Sequence, residues 1–468
     1  MRDLTQDLTP LFDRLHAATR AQVFPDAATR IDRLDRVEKL LRAHEAEFVA
    51  AISADFAGRS DVETRLAEFL PCLESLKHAR RHLRRWMRPR RVWTPLTMQP
   101  ARAWVQDMPL GVVGVIAPWN YPLMLSISPL IDALAAGNRV MIKPSELTPQ
   151  FSDLLAARVA QYFAPDEVAV ATGGPDVAAA FAALPFDHLL FTGSTRVGRL
   201  VAQAAAPNLT PVTLELGGKS PVIIAPGYPL DKAARAIALG KFINAGQTCI
   251  APDYVLVPRG QGRALAQAVL AAAARGYPAI TDNPDMTAII TPRHRARLVQ
   301  AVDEARAAGA EVLSHADQDC APRMAPTVVL NPPASGILAD EEIFGPVLPV
   351  IEVDTLDAAI AHVNARPRPL ALYVFSDRRA EVDGVLQNTV SGGVTVNGTL
   401  LHVANHGLPF GGVGPSGTGA YHGIEGFRRL SHARAVHKVG FVNPVEWMGP
   451  PWGRRVQALL RVVAGLGR

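Results

Sequence analysis

The chain has 468 residues, 49% of them apolar and 19% charged, enough to bury two to four domain cores at roughly 100–200 residues per domain. That balance excludes an intrinsically disordered segment, a disulfide miniprotein and a fibrous repeat. The formal charge of +5 is a weak field over such a length, and of the 48 cationic side chains only seven are lysines.

The opening MRDLTQDLTPLFDRL has no apolar run able to serve as a secretory signal, and no stretch reaches the roughly 20 apolar residues that cross a bilayer. Cys72, Cys249 and Cys320 are far apart and lack metal-ligand spacing. They point to a reducing, cytoplasmic setting and away from a disulfide framework or a zinc site. The first part of the chain reads as helices, with Leu34, Val37, Leu40 and Leu41 at helical spacing, then Leu66, Phe69, Leu70, Leu73 and Leu76. Pro71 inside the second pattern predicts a kink or break. After Pro89 the pieces VWTPLTM and ARAWVQDM are β-prone, and GVVGVIA (111–117) reads as a buried strand. Strands then alternate with helices: RVMIKP, VAVATGG and HLLFTG are each followed by a helical pattern, which predicts a parallel sheet with helices on its faces. A second α/β series follows Gly217 and Gly218, with strands at PVIIA, YVLVP, TVVLN and VLPVIEV. The glycine-rich segment 391–426 reads as strands and tight loops.

Five segments carry groups suited to chemistry. NAGQTC (244–249) presents Cys249 on a glycine-containing turn among small polar residues. A cysteine reacts as thiolate, and backbone amides at a helix start lower its pKa. Nucleophile and small buried hydrophobe are both open for Cys249, whereas Cys72 and Cys320 read as buried hydrophobes. In LELGGKS (214–220) Glu215 lies between two leucines at a strand end, where desolvation raises a carboxyl towards the range of a general base; pairing with an arginine is the alternative. FTGSTRVG (191–198) follows an apolar strand and opens a helix, so its amides could receive a phosphate. IKPSE (142–146) ends a strand with Lys143 and Glu146, a cation and a carboxylate suited to ribose hydroxyls. Each of the last two also fits an ordinary strand-to-helix turn. PWNYP (118–122) fixes a short loop between prolines, and its Asn120 amide is either a neutral donor for an oxyanion or the start of an Asx-turn.

Together these segments resemble the aldehyde dehydrogenase superfamily over nearly the whole chain: APWNYP, KPSE, FTGST, LELGGKSP, NAGQTCIAPDY, EEIFGPVLPV and PFGGVGPSG occur in the family's order. NAGQTCIAPDY, PLALYVFS and PFGGVGPSGTGAYHG resemble the class 3 branch. Within it, ALPFDHLLFTGST, PVTLELGGKSPVIIAPGYPL and SGGVTVNGTLLHV are most similar to bacterial coniferyl-aldehyde dehydrogenases.

The resemblance implies an α/β fold in parts: an NAD(P)-binding domain with a parallel sheet from 1–85 and 107–216, an α/β catalytic domain from 217–398, a β bridging segment from 86–106 and 399–440 that makes a homodimer, and a basic tail at 441–468. It implies NAD(P)-dependent oxidation of an aldehyde to the carboxylic acid, with coniferaldehyde or a related aromatic aldehyde first and a medium- or long-chain aliphatic one second. Cys249 would attack the aldehyde carbon, and the Asn120 amide and the Cys249 N–H would hold the thiohemiacetal oxyanion. Glu215 would activate the water that releases the acid from the thioester. Lys143 and Glu146 would contact the adenosine ribose, Gly193, Ser194 and Gly198 the pyrophosphate, and Glu342 and Phe344 the nicotinamide half, with no metal. Glu146 on the ribose disfavours a 2′-phosphate, so NAD is expected ahead of NADP. The presence of Glu215 argues against a CoA-acylating enzyme, and the presence of both Cys249 and Glu215 against a non-catalytic binding protein on the same scaffold.

Two basic segments depart from the class 3 pattern. Residues 77–91 carry +8 and residues 452–468 carry +4, which leaves −7 on the rest. Neither belongs to a nucleic-acid reader, so no nucleic-acid partner is expected. In the tail, Val456, Leu459, Leu460 and Val463 share a helical face, with Arg454, Arg455 and Arg461 elsewhere. Such a helix fits an anionic membrane surface, a reading ranked behind docking on the chain's own body or fraying.

Overall fold

The computed structural model describes residues 5–315, 320–443 and 446–465, and its strands form three sheets. In the first, Val112–Ile116, Arg139–Lys143, Val168–Val170, His188–Gly193 and Val212–Leu216 pair in parallel. The two-residue strand Gly417–Thr418 closes one edge antiparallel. Side chains of a strand alternate between faces, and here both faces are buried. Val113, Val115 and Ile142 join the core made with the helices Ala27–Ala43, Glu45–Asp55, Leu70–Trp86 and Pro122–Ala136. Val112, Ile116 and Met141 join the one made with Thr5–Ala21, Pro175–Ala182 and Thr195–Ala205. Leu34, Val37, Leu40 and Leu41, none more than 1% exposed, each contribute roughly 1.5–3 kcal/mol by that burial.

The second sheet has seven strands in the order Glu311–Ser314, Thr327–Leu330, Val347–Val353, Tyr254–Pro258, Pro221–Ile224, Ala371–Phe375 and Gly393–Val396, parallel except at the first pair. Helices Leu230–Phe242 and Gly262–Gly276 cover one face, and Leu356–Asn364 and Arg379–Asn388 the other. The third sheet is antiparallel, with Arg102–Pro109 between Arg90–Val92 and Ser431–Lys438.

Several local expectations change. The break expected at Pro71 takes the form of a π-helical turn, Arg65–Phe69, which interrupts the α-helix just before Pro71 and leads into Leu70–Trp86. Of VWTPLTM only Val92 is in a strand, and Leu96–Met98 is a 3₁₀ turn. The glycine-rich 391–426 stretch also runs into a helix, Gly423–Arg429. Cys72 is buried as expected, but Cys320 is partly exposed. Within 77–91, Arg80 pairs with Asp35 and Glu38 of the helix Ala27–Ala43 and Lys77 with Glu74 one turn away, so these acids offset part of the charge. The tail forms the helix Arg454–Ala464, yet none of its residues is buried and Leu459, Leu460 and Val463 are 37%, 44% and 60% exposed. Its apolar face therefore does not dock on the chain's own body as expected; Arg468 lies outside the described residues. Among the described residues no helix is long and apolar enough to cross a membrane.

Candidate active site

The first and second sheets meet end to end. Carboxyl ends of first-sheet strands lead into Asn120 and Ser194, and Glu215 is the penultimate residue of the strand Val212–Leu216, while Gly217, Cys249, Glu342 and Phe344 precede the amino ends of second-sheet strands. Strand order in the first sheet reverses between Val112–Ile116 and His188–Gly193, and an open α/β sheet binds ligands in the crevice at such a point. A cavity of about 280 Å³ there is lined by Asn120, Gly193, Ser194, Glu215, Cys249, Glu342 and Phe344. Lys143, Glu146 and Gly198 do not line it. Lys143, 1% exposed, holds Glu146 through Nζ–Oε2 at 3.0 Å beside a neighbouring strand end. Gly198 lies in the helix after Ser194, where a Cβ would come within 2.5 Å of Leu216.

Cys249 is delivered by a strained turn rather than a helix start. Asn244, Ala245 and Gly246 all have positive φ (51°, 51° and 74°), the left-handed region that costs about 1–3 kcal/mol for a non-glycine residue. A Cβ on Gly246 would come within 2.3 Å of the Gly345 carbonyl, so that position requires glycine. Gln247, fully buried, locks the curl: its Nε2 donates to the Asn244 and Ala288 carbonyls, both at 3.0 Å, and its Oε1 accepts from Ile290 N at 3.0 Å. The Asn120 Nδ2 donates to the Gln247 carbonyl at 3.1 Å, which brings its amide to the cysteine loop. Tyr121 and Thr248 share a hydroxyl–hydroxyl bond of 2.7 Å, and the Tyr373 hydroxyl donates to the Ile250 carbonyl.

The electrostatics differ from the expectation at Cys249. Burial, followed by the Glu342 and Glu215 carboxyls, pushes its thiol up to about 12, against the opposing N–H groups of Cys249 and Ile250. Among the described residues no helix begins between Gly246 and Gly262, so the lowering expected of a helix start is missing. Glu215 is 2% exposed, and among the described residues neither carboxyl oxygen has a hydrogen-bond partner. Burial raises it well above the carboxylate range, opposed by Arg429. Glu342 is pushed up to about 8 by burial and then by Asp253, and its Oε1 is likewise unpartnered. A thiol, an amide donor and a desolvated carboxyl around one cavity are the groups an acyl-transfer site needs.

Sequence reasoning did not single out Trp119, His294 or Arg297, which line the same cavity. The Trp119 ring stands edge-on to Phe344 and to His294, both at 5.4 Å. Arg297 donates to the Glu342 and Ile343 carbonyls at 2.7 and 3.0 Å and to Glu341 Oε2 at 2.8 Å, fixing the backbone that presents Glu342. Carbonyl partners more than 40 residues away leave no sequence signal.

Residues 15–436 match the aldehyde dehydrogenase family. The chain is 49% identical to the "Probable coniferyl aldehyde dehydrogenase" of Pseudomonas aeruginosa, over 97% of this chain and 95% of that protein. It is 43% identical to the "Coniferyl aldehyde dehydrogenase" of a Pseudomonas species, over 98% and 96%. Among solved structures, Staphylococcus aureus AldH in a substrate-bound state superposes with a TM-score of 0.92 at 35% identity, covering 98% of this chain and 99% of that one.

Proposed function

The chain belongs to the aldehyde dehydrogenase family and is an NAD(P)-dependent oxidoreductase, and from that premise we propose that it converts coniferaldehyde or a related aromatic aldehyde to the carboxylic acid through a thioester on Cys249. The observation that carries this reading is the shared cavity of Cys249, Glu215 and Asn120, joined to the names of the two Pseudomonas relatives.

In this mechanism the Cys249 sulfur, as thiolate, attacks the aldehyde carbon. The oxyanion that forms is held by the Asn120 amide and the Cys249 backbone N–H, donors already in place and poor at stabilising the flat aldehyde, so they favour the tetrahedral state. A nicotinamide ring held beside Glu342 and Phe344 would supply the acceptor for the hydride that leaves this carbon. Water then attacks the thioester, Glu215 takes its proton, and the thiolate leaves as the acid is released.

The residues fit a nicotinamide dinucleotide. The unpartnered Glu342 Oε1 is a buried acceptor for a ribose hydroxyl, and Gly217 leaves room for the carboxyl beside it. Ser194 caps the helix Thr195–Ala205, whose first-turn amides suit a pyrophosphate. We assign Lys143 and Glu146, paired at 3.0 Å, to the adenosine ribose; a Glu146 carboxylate there would repel a 2′-phosphate, which supports NAD ahead of NADP. We further propose a homodimer, supported by the exposed outer strands of the third sheet and by Trp93 and Leu96, 76% and 83% exposed.

The test is kcat/KM for coniferaldehyde, benzaldehyde, hexanal and dodecanal with NAD and with NADP. The reading expects coniferaldehyde with NAD to rank first; dodecanal first would replace it with an aliphatic enzyme.

A further inference from the structure

Asn120 and Cys249 belong to loops from different sheets, and their alignment needs a tie between those loops. Arg59, whose side chain is fully buried, lies between them. Its Nη1 donates to Glu68 Oε1 at 2.9 Å and to the Asn120 carbonyl at 3.1 Å. Asn244 Nδ2, from the cysteine loop, donates to that same carbonyl at 2.9 Å. The other Glu68 oxygen accepts from Leu123 N and Met124 N at 2.7 and 3.1 Å, amides of the helix that follows Asn120. Glu63, 3.5 Å from Arg59 Nε, accepts from the Asn244 backbone N–H and from the Thr287 hydroxyl. The Arg59 guanidinium also lies 4.9 Å from the centre of the Tyr121 ring, whose hydroxyl meets Thr248 beside Cys249.

We infer that Arg59, hydrogen-bonded to Glu68 and ion-paired with Glu63, is a positioning residue for the reaction: it fixes the Asn120 loop against the cysteine loop so that the amide donor and the nucleophile face one point. The inference rests on the reading above, since it presumes the roles given there to Asn120 and Cys249. None of the three residues lines the catalytic cavity. A buried ion pair is a poor source of stability, because apolar side chains fill the same volume with no desolvation cost. What it supplies here is a hydrogen bond from Nη1 to the Asn120 carbonyl, the same oxygen that Asn244 of the cysteine loop holds, so both loops are tied at one atom. Glu68 lies in the π-helical turn Arg65–Phe69, a local irregularity that recurs at functional sites.

The test is a double-mutant cycle on the full-length enzyme with coniferaldehyde and NAD. Asn120→Ala is expected to lower kcat about 100- to 1,000-fold, the cost of one oxyanion donor. Arg59→Lys keeps the charge but, with a shorter side chain, draws the donor back from the Asn120 carbonyl, and is expected to lower kcat about 10- to 100-fold with KM nearly unchanged, as a displacement of about 1 Å does. In the Asn120→Ala background the same Arg59→Lys change is expected to cost less than about threefold, because the group it positions is gone. Alkylation of Cys249 by iodoacetamide, which needs no oxyanion donor, should proceed at wild-type rate in Arg59→Lys. A wild-type kcat in Arg59→Lys overturns the inference, and so does a loss repeated in full without Asn120, the mark of a general structural role. If Arg59→Lys does not fold, Glu68→Gln goes through the same cycle with the same expected non-additivity. Cys249→Ala is the control for the underlying reading: its retention of wild-type activity sinks that reading, whereas an inactive Cys249→Ala beside a fully active Arg59→Lys sinks only the inference.

Discussion

Gly217 lies so close to Glu342 that a Cβ on it would come within 1.9 Å of the Glu342 Oε2. The carboxyl is the movable partner, since Gly217 is fixed between the strands Val212–Leu216 and Pro221–Ile224. Gly217→Ala should therefore leave the fold intact and swing Glu342 away from the cofactor crevice. Losing one hydrogen bond of about 1–1.5 kcal/mol weakens binding about tenfold. Titration of the protein's tryptophan fluorescence with NAD measures this directly, and an unchanged Kd would remove Glu342 from the cofactor site.

Cys249 and Glu215 should fail differently. Cys249→Ala removes the only sulfur among the described residues that line the cavity and should abolish aldehyde oxidation. Glu215→Gln keeps the shape and removes the proton acceptor, so the thioester should form and then wait. A single-turnover trace should show a burst of NADH near one equivalent, followed by steady state slowed about 100-fold or more, the scale of lost general-base catalysis. Unchanged turnover in Glu215→Gln would mean that another group activates the water.

The pH dependence follows from the direction of two shifts. The Cys249 thiol, pushed up to about 12, holds its proton at neutral pH, and burial shifts the Glu215 carboxyl well above its usual range. Both groups must be deprotonated to act, so kcat should climb steadily from pH 6 to pH 9 and not level off near pH 5 as an unperturbed carboxylate would dictate. Initial rates in buffers of constant ionic strength test this. A plateau from pH 6 would show that neither proton limits the rate.

Much of the first sheet was legible because apolar runs such as GVVGVIA and HLLFTG are buried on both faces and end at glycine or proline. The antiparallel strand Glu311–Ser314 was not, since it sits at an edge, half-exposed, without such a run. At the site, each of PWNYP, LELGG and NAGQTC showed a chemical group on a loop, but only the family resemblance placed the three groups together. Arg59 and Arg297 stayed invisible for a physical reason: both act through backbone carbonyls of distant loops, and a carbonyl carries no residue identity. The helix-start amides expected at Cys249 are replaced by a left-handed turn that polar residues 244 and 247 hold from inside, a conformation that periodicity does not encode.

Glu167 sets the acid limit of the fold. It follows the helix Pro149–Tyr162 and joins that region to the helix Ala27–Ala43 through Arg36 at 2.7 Å and Arg33 at 3.1 Å. Burial works against its charge, yet Arg36 and Arg33 bring the carboxyl down to about 2. A carboxyl lowered on folding contributes stability that is complete above its unfolded value and is lost as pH falls through the folded one. Glu167→Gln should therefore cost about 1–3 kcal/mol at pH 7, the range for a charge-assisted pair that is partly screened. That difference should shrink as pH falls from 5 towards 2, where the wild-type carboxyl also becomes neutral. Urea melts of both proteins across this range measure it, and a gap independent of pH would assign the loss to packing and leave the ion pairs without a net role.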